Sequence, residues 1–300
     1  ILGWLIGDGW LKDDENCRVG FTFSQEDKEI LDYLKPIINN YYGSYIKEVL
    51  RENNVYHLSY HSKYFVEFFK KLGVGNWNSD SKEVPTAVFT APREAVIGFL
   101  QGIFGADGTV RDNPKSNSSW IALTSKSKVL LNQAQLLLLN LGIKSRIYDR
   151  SRPLREELFS YVTKDGKCKT YGSDGILFEL GIFGESRERF RLLSGFLNES
   201  KNQRLADIRF KKFYRQKFEE DIVSIDTIGS KEVYDLTEPL THSMIVNGIV
   251  THQCGEQPLL PYESCNLGSI NLEKIILSKD DRAEIDWQKL KAVTHLAAHF

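Results

Sequence analysis

The sequence predicts an α+β chain: two copies of one α-β-β-α-β unit forming a pseudo-two-fold monomer, then a β-rich tail. First, "ILGWLIGDGWLKD" at the start matches "FLQGIFGADGTVRD" at residues 99–112, each an apolar helical pattern closed by Asp-Gly. Second, "CRVGFTFSQEDKEILDYLKPIINNYYGSYIKEV" and "SSWIALTSKSKVLLNQAQLLLLNLGIKSRIYDR" follow in the same order, strand, turn, amphipathic helix, strand. Third, beyond residue 220 the pattern shortens to "DIVSIDTIG", "KEVYDLTE" and "HSMIVNGIVTH", which read as β-strands. A duplicated unit in one chain is comparable to a symmetric dimer with its protomers joined.

The elements follow from local chemistry. Ser24 and Ser125 stand near the start of the long helix in each copy, where N-cap residues are expected. Thr90 and Pro92 supply start signals for the helix that ends at Asp107, and Val96, Ile97, Leu100, Ile103 and Phe104 give it an apolar stripe. Small residues run beside the stripe: Gly98, Gly102 and Ala106, matched in the first copy by Gly3 and Gly7. Glycine inside a helix costs about 1 kcal/mol relative to alanine. Its repetition therefore predicts that the two helices pack closer than the usual 8–10 Å.

Such packing brings Asp8 and Asp107 together at two helix C-termini, where partial negative charge already accumulates. Two carboxylates there repel each other, and a divalent cation relieves the conflict. With the carbonyls of Gly7 and Ala106 they make a hard-oxygen donor set suited to Mg²⁺. A single Asp-Gly marks a turn; two, each closing a glycine-striped helix, point to a metal site.

Net charge is −1, but residues 1–110 carry −4, residues 111–220 +9 and residues 221–300 −6. A basic middle between acidic ends suits a polyanion. The cysteines (17, 168, 254, 265) show neither a metal spacing nor a disulfide framework, which predicts a reducing, cytoplasmic setting. No apolar run reaches the roughly 20 residues of a membrane span, and no membrane partner is expected. The opening inside an apolar helix, without Met, predicts further chain upstream.

Residues 1–9 and 100–108 resemble the paired LAGLIDADG motifs of homing endonucleases, with Asp8 and Asp107 at the metal-binding position. The resemblance implies two αββαββα units whose four-stranded saddle sheets straddle double-stranded DNA, with the aspartates holding divalent metal at the scissile phosphates. Two ions that stabilise attacking and leaving oxygens are a general solution for phosphodiester hydrolysis. The basic second half then serves phosphate contact, and Arg18, Thr22, Tyr45 and Lys47, with Lys144, Arg146 and Tyr148, are candidates to face the major groove. "SKEVPTAV", residues 81–88, resembles the Lys-x-x-Pro block of intein-borne members, which makes Lys82 a catalytic candidate. For a second lysine, Lys144 and Lys201 stay open.

The tail resembles the C-terminal splicing blocks of an intein, a Hint-type segment: Tyr-Asp-Leu-Thr, His242 seven residues after Asp235, Asn-Gly, then His-Gln-Cys. The chemistry requires these types. A thiol must accept the upstream segment (Cys254), a side-chain amide must attack its own carbonyl (Gln253), and proton transfer needs His252 and His242, with Asp235 tuning the thiol. Splicing sites of this kind usually carry Asn before the junction. Gln must close a six-membered ring, which restricts one more rotor and predicts slower cleavage. Downstream, "CGEQPLLPYESCNLGSINL" resembles the active-site segment of ribonucleotide reductase large subunits, particularly the adenosylcobalamin-dependent class, with Cys254 and Glu256 as host active-site residues. Adenosylcobalamin belongs only to the complete host.

The expected partition is residues 1–217 for the endonuclease (copies 1–97 and 98–217), 218–253 for the splicing segment and 254–300 for a reductase fragment. The missing N-terminal intein half and upstream extein are expected partners. Three activities fit: a nuclease within a self-splicing insertion, a LAGLIDADG remnant that binds DNA without cutting, and an inert insert in a reductase fragment.

Overall fold

The structure, a computed structural model, describes residues 1–51, 54–113, 118–162, 168–208, 218–219, 221, 223–232, 238, 240–246, 248–252, 269–279 and 282–299. It divides into two units, Ile1–Glu220 and Asp221–Phe300.

The first unit contains the duplication. Helix α1 (Leu2–Asp8) leads into strands β1 (Gly9–Lys12) and β2 (Arg18–Ser24), helix α2 (Lys28–Tyr42), strands β3 (Val49–Leu50) and β4 (Val55–His61) and helix α3 (Lys63–Lys71). After the short helix α4 (Thr86–Phe89) the order repeats: α5 (Arg93–Asp107), β5 (Gly108–Asn113), β6 (Ser118–Ser125), α6 (Lys128–Asn140) and β7 (Ser145–Asp149). A hairpin of β8 (Arg155–Val162) and β9 (Cys168–Ser173) precedes β10 (Phe178–Ile182), α7 (Gly184–Leu193) and α8 (Glu199–Asp207). The sheets have the same topology, β1-β2-β4-β3 and β5-β6-β10-β7, all pairs antiparallel. Each half is thus an αββαββα unit.

Alternation decides which face of each sheet is covered. Val19, Phe21, Leu58 and Tyr60 are buried, and so are Ile121, Leu123, Leu180 and Ile182 in the second sheet. Helix α2 adds Ile30, Leu31, Leu34 and Ile38, and α6 adds Leu130, Leu131, Leu137 and Leu138. The intervening strand residues Arg18, Thr22, Arg146 and Tyr148 fall on the opposite, uncovered faces.

Several local expectations are corrected. Ser24 and Ser125 end strands rather than cap helices; the N-cap follows three residues later in the first copy and two in the second. Ser127 caps α6, accepting from Leu130 N at 3.1 Å, and Asp27 holds the equivalent place before α2. Tyr45 and Lys47 lie before the two-residue β3, not on a strand, and Lys144 just precedes β7. Arg187 is a buried cation that no apolar pattern foretold; it donates to Ser119 O at 3.1 Å.

In the second unit, β11 (Ser243–Val246) and β12 (Ile249–His252) form a hairpin, turned at Gly248 with φ +85°. A 3-10 turn (Leu272–Ile275), the hairpin β13 (Ile276–Lys279) and β14 (Arg282–Ile285), and α9 (Trp287–Ala297) follow. The alternating run 221–229 forms no strand among its described residues. Val223 and Ile225 are 97% and 86% exposed, so alternation there meets neither a ladder partner nor a covering face. Among the described residues no helix is long and apolar enough to cross a membrane.

Candidate active site

Helices α1 and α5 pack backbone to backbone. A β-carbon on Gly3 would stand 2.0 Å from Phe99 O, and one on Gly102 2.9 Å from Trp4 N. Contacts that short require glycine, and the close approach predicted for Gly3, Gly7 and Gly102 is present. Gly98 is a correction: nothing lies within 4 Å of its added β-carbon, so its placement is not forced by the partner helix. Past each aspartate, Gly9 and Gly108 let the chain leave the helix; a β-carbon on either would reach the preceding turn, 2.5 Å from Leu5 O and 2.3 Å from Phe104 O.

This packing delivers Asp8 and Asp107 to one place. A β-carbon on Gly7 would lie 2.5 Å from Ala106 Cβ and 3.4 Å from Asp107 Oδ2, so each helix end meets the other. Both carboxylates are half-buried. Burial, then the charge of Asp8, lift the Asp107 carboxyl to about 6, against the pull of Lys82 and Lys201. Asp8 is raised as well, by burial first and Asp27 second, with the same two lysines opposing.

The lysines complete the pseudo-symmetry. Lys82 Nζ donates to Gly7 O at 2.5 Å, and Lys201 Nζ donates to Gly105 O at 2.5 Å. Of the two candidates for a second lysine, Lys201 stands at this centre; Lys144 stands at the edge of the second sheet, its N–H donating to Ser186 Oγ at 2.9 Å. Burial lowers the Lys201 ammonium despite Asp27, Asp8 and Asp107 nearby.

Each lysine-bearing segment is held by the opposite half. Ser127 Oγ donates to Lys82 O at 2.6 Å, and Val84 N to Gln133 Oε1 at 2.7 Å. Asn198 Nδ2 donates to Asp27 Oδ1 at 2.6 Å, and Glu199 N to Glu29 Oε1 at 3.2 Å. Ser24 Oγ occupies the other Asp27 oxygen at 2.6 Å. No local pattern pointed to Asp27 and Asn198, because their meeting spans 171 positions.

The donor set fits a divalent cation. Two carboxylates pressed together where helix ends concentrate negative charge need positive compensation, and oxygen is the ligand type that Mg²⁺ and Ca²⁺ take. No group of three or more His, Cys, Asp or Glu side chains gathers as a metal site among the described residues. An ion here would complete its shell with main-chain oxygens and water, as Mg²⁺ commonly does. The Gly7 carbonyl already accepts from Lys82, so a metal would share that oxygen or displace the ammonium.

Arg18 and Arg146 lie on the uncovered faces with Thr22 and Tyr148; Arg18 sits over the Trp10 ring, 5.5 Å from its centroid. Trp10, Arg111 and His57 share these faces and were not singled out from sequence. In the second unit, His242 is exposed with φ +50°, directly before β11, and the Ser243–His252 pairing brings the two histidine backbones together. Glu238 in the preceding loop accepts from Thr241 Oγ1, Leu240 N and Thr241 N, which pull its carboxyl down to about 2. Asp235, Gln253, Cys254 and Glu256 lie outside the described residues, as does the His252 side chain.

Residues 94–191 match the family model of the LAGLIDADG-like domain. The chain is 31% identical over 243 residues to the ribonucleoside-diphosphate reductase NrdEB subunit alpha of Bacillus subtilis, covering 70% of this chain and 21% of that protein. It is 28% identical over 271 residues to a DNA polymerase of a Thermococcus species, covering 84% of this chain and 14% of the polymerase. A further 50 residues are 54% identical to the vitamin B12-dependent ribonucleoside-diphosphate reductase of Thermoplasma acidophilum, 17% of this chain and 6% of that protein. The chain therefore spans about a fifth or less of these relatives' length. Among solved structures, the homing endonuclease I-DmoI in complex with DNA and manganese is similar with TM-score 0.41 and 18% identity, covering 64% of this chain and 92% of that one.

Proposed function

We propose that the first unit is a site-specific double-strand DNA endonuclease carried by a protein-splicing element within a ribonucleoside reductase host. One observation carries the nuclease reading: two half-buried aspartates meet at the ends of glycine-packed helices, each helix with a lysine ammonium on a carbonyl of its last turn. Asp8 and Asp107, with main-chain oxygens of the same helix ends, hold Mg²⁺ or a similar ion. When bound, the metal supplies Lewis-acid stabilisation of the oxygens that attack and leave phosphorus. Lys82 and Lys201 place positive charge where the phosphoryl group gains negative charge. Arg18 and Arg146 from the sheet faces, and Lys47 and Lys144 from the segments leading into β3 and β7, serve duplex contact, as phosphate or base contacts.

The presence of both aspartates and both lysines favours cutting over a binding-only remnant. The test is incubation of the chain with duplex DNA from the uninterrupted reductase gene in Mg²⁺. One double-strand break is expected, with Lys82→Met and Lys201→Met each slowing it while DNA affinity persists. Tight binding without strand breaks in Mg²⁺ or Mn²⁺ rules the nuclease out.

For the tail, the reading is a splice junction at Gln253–Cys254. The Cys254 thiol accepts the upstream segment, the Gln253 amide cleaves the peptide bond, His252 and His242 move protons and polarise the carbonyl, and Asp235 tunes the thiol. His242 directly before β11, beside the Ser243–His252 pair, and the similarity to stretches of 243 and 271 residues in a reductase and a DNA polymerase support it. After splicing, Cys254 and Glu256 return to the host reductase. Mass spectrometry tests this step: cleavage at Gln253–Cys254 should be abolished by Gln253→Ala, and persistence of that cleavage in the variant overturns the assignment.

A further inference from the structure

The two halves share a topology but differ at one edge. In the first, β3 and β4 are joined by a tight reversal, with Arg51 N donating to Val55 O at 2.8 Å. In the second, the equivalent pair β7 and β10 does not close. Its ladder continues outward from Asp149 opposite Phe178, through Arg150 N to Leu177 O at 2.9 Å and Arg152 N to Gly175 O at 2.8 Å. It then joins β8–β9, from Arg155 opposite Ser173 to Val162 opposite Cys168. Residues 145–162 and 168–182 thus form one two-stranded ribbon, of which 150–162 and 168–177 project beyond the four-stranded sheet.

The ribbon's base is built rather than incidental. Gly175 has φ +78°, and a β-carbon there would stand 1.8 Å from Arg152 O, so only glycine allows this bend. Asp174 is clamped by Lys126 Nζ at 2.9 and 3.1 Å, which ties the bend to the start of α6. Ser151 N donates to Asp149 Oδ1 at 2.9 Å, and Leu177 N to Ser151 Oγ at 3.2 Å. At about 3.3 Å per residue, the thirteen steps from Asp149 to Val162 extend roughly 40 Å, a little over one turn of duplex.

Charge and shape select the occupant. Residues 150–177 carry Arg150, Arg152, Arg155, Lys164, Lys167 and Lys169 against Glu156, Glu157, Asp165 and Asp174, with Arg150 paired to Glu179 at 3.0 Å. The backbone register places Phe159 opposite Tyr171 and Tyr161 opposite Lys169. A two-stranded ribbon is one of the two elements that the major groove of B-DNA admits. We infer that the ribbon of residues 150–162 and 168–177 is a DNA-reading arm that extends recognition along one flank of the target, on the side of the second half only. This rests on the nuclease reading, and it adds that the target is read asymmetrically: the first half, with its short β3–β4 reversal, has no counterpart arm.

The test is hydroxyl-radical footprinting of the full chain, in Ca²⁺, on a duplex of the uninterrupted reductase gene spanning the insertion point. Protection should reach roughly one helical turn farther from the centre on one flank than on the other. Replacing residues 153–174 by Asn-Gly should remove that extra protection alone. The backbone-preserving variant R152E/R155E/K169E should do the same and lower the slope of log affinity against log salt by about two to three. Equal flanks in the parent, or an unchanged footprint in both variants, overturns the arm and leaves the nuclease standing. Absence of any protection overturns both.

Discussion

Substituting Asn for Asp107 should stabilise the metal-free protein at neutral pH while removing its response to magnesium. Burial and the neighbouring Asp8 raise the Asp107 carboxyl from 3.8 to about 6. A carboxyl raised on folding binds its proton more tightly in the folded chain. Its contribution therefore favours the fold at low pH, fades as pH climbs from 3.8 to 6, and is an unrelieved cost above that. Two pKa units correspond to roughly 3 kcal/mol, or about 6–12 °C in a domain of this size. Asn keeps the shape and discards the charge. Urea or thermal melts in EDTA, followed by tryptophan fluorescence, should show parent and D107N matching at pH 4, and the variant more stable at pH 7.5. Millimolar Mg²⁺ should then raise the parent and leave the variant in place. A variant less stable than the parent at pH 7.5 in EDTA would refute the claim that the paired carboxylates repel in the folded state.

The helix interface gives an internal contrast: Gly3→Ala should cost about 3 kcal/mol or more, because its β-carbon meets the Phe99 carbonyl. Gly98→Ala, with nothing nearby, should gain about 0.5–1 kcal/mol in the same melts. Lys201→Met should slow cleavage about 100-fold or more without loss of DNA affinity, read by single-turnover assays and gel shift. Ser127→Ala removes the α6 cap and the bond to Lys82 O, so it should lose about 1 kcal/mol of stability and also slow cleavage. In the tail, Gln253→Asn should speed cleavage before Cys254, since a five-membered ring closes more readily, and mass spectrometry over time reads the rate.

The duplicated helices, the two aspartates and Lys82 were legible because their signals are local: a run of apolar and small residues, a terminal Asp-Gly, a lysine three residues before a proline. What sequence left open depends on chain paths. Lys201 and Lys144 are equal as letters, and only the fold of α8 brings the former to the Gly105 carbonyl. Asp27 is bound by Asn198 across the whole unit, a contact with no periodic trace. The helix caps fell three residues later than read in the first copy and two in the second, because β2 and β6 continue through Ser24 and Ser125. The projecting ribbon was hidden by Pro153, Gly175 and a shift of register between Arg155 and Phe159, each of which breaks alternation. The run at 221–229 shows the converse failure, strand-like letters that find no partner.

The crossed tethers mean that neither half holds its own lysine-bearing segment in place. The Lys82 segment leans on residues 127 and 133, and the Lys201 segment leans on residues 27 and 29. On the proposed nuclease reading, change at the outer sheets answers only to the DNA they face, whereas change along the shared α1–α5 axis must be matched by the other half of the unit.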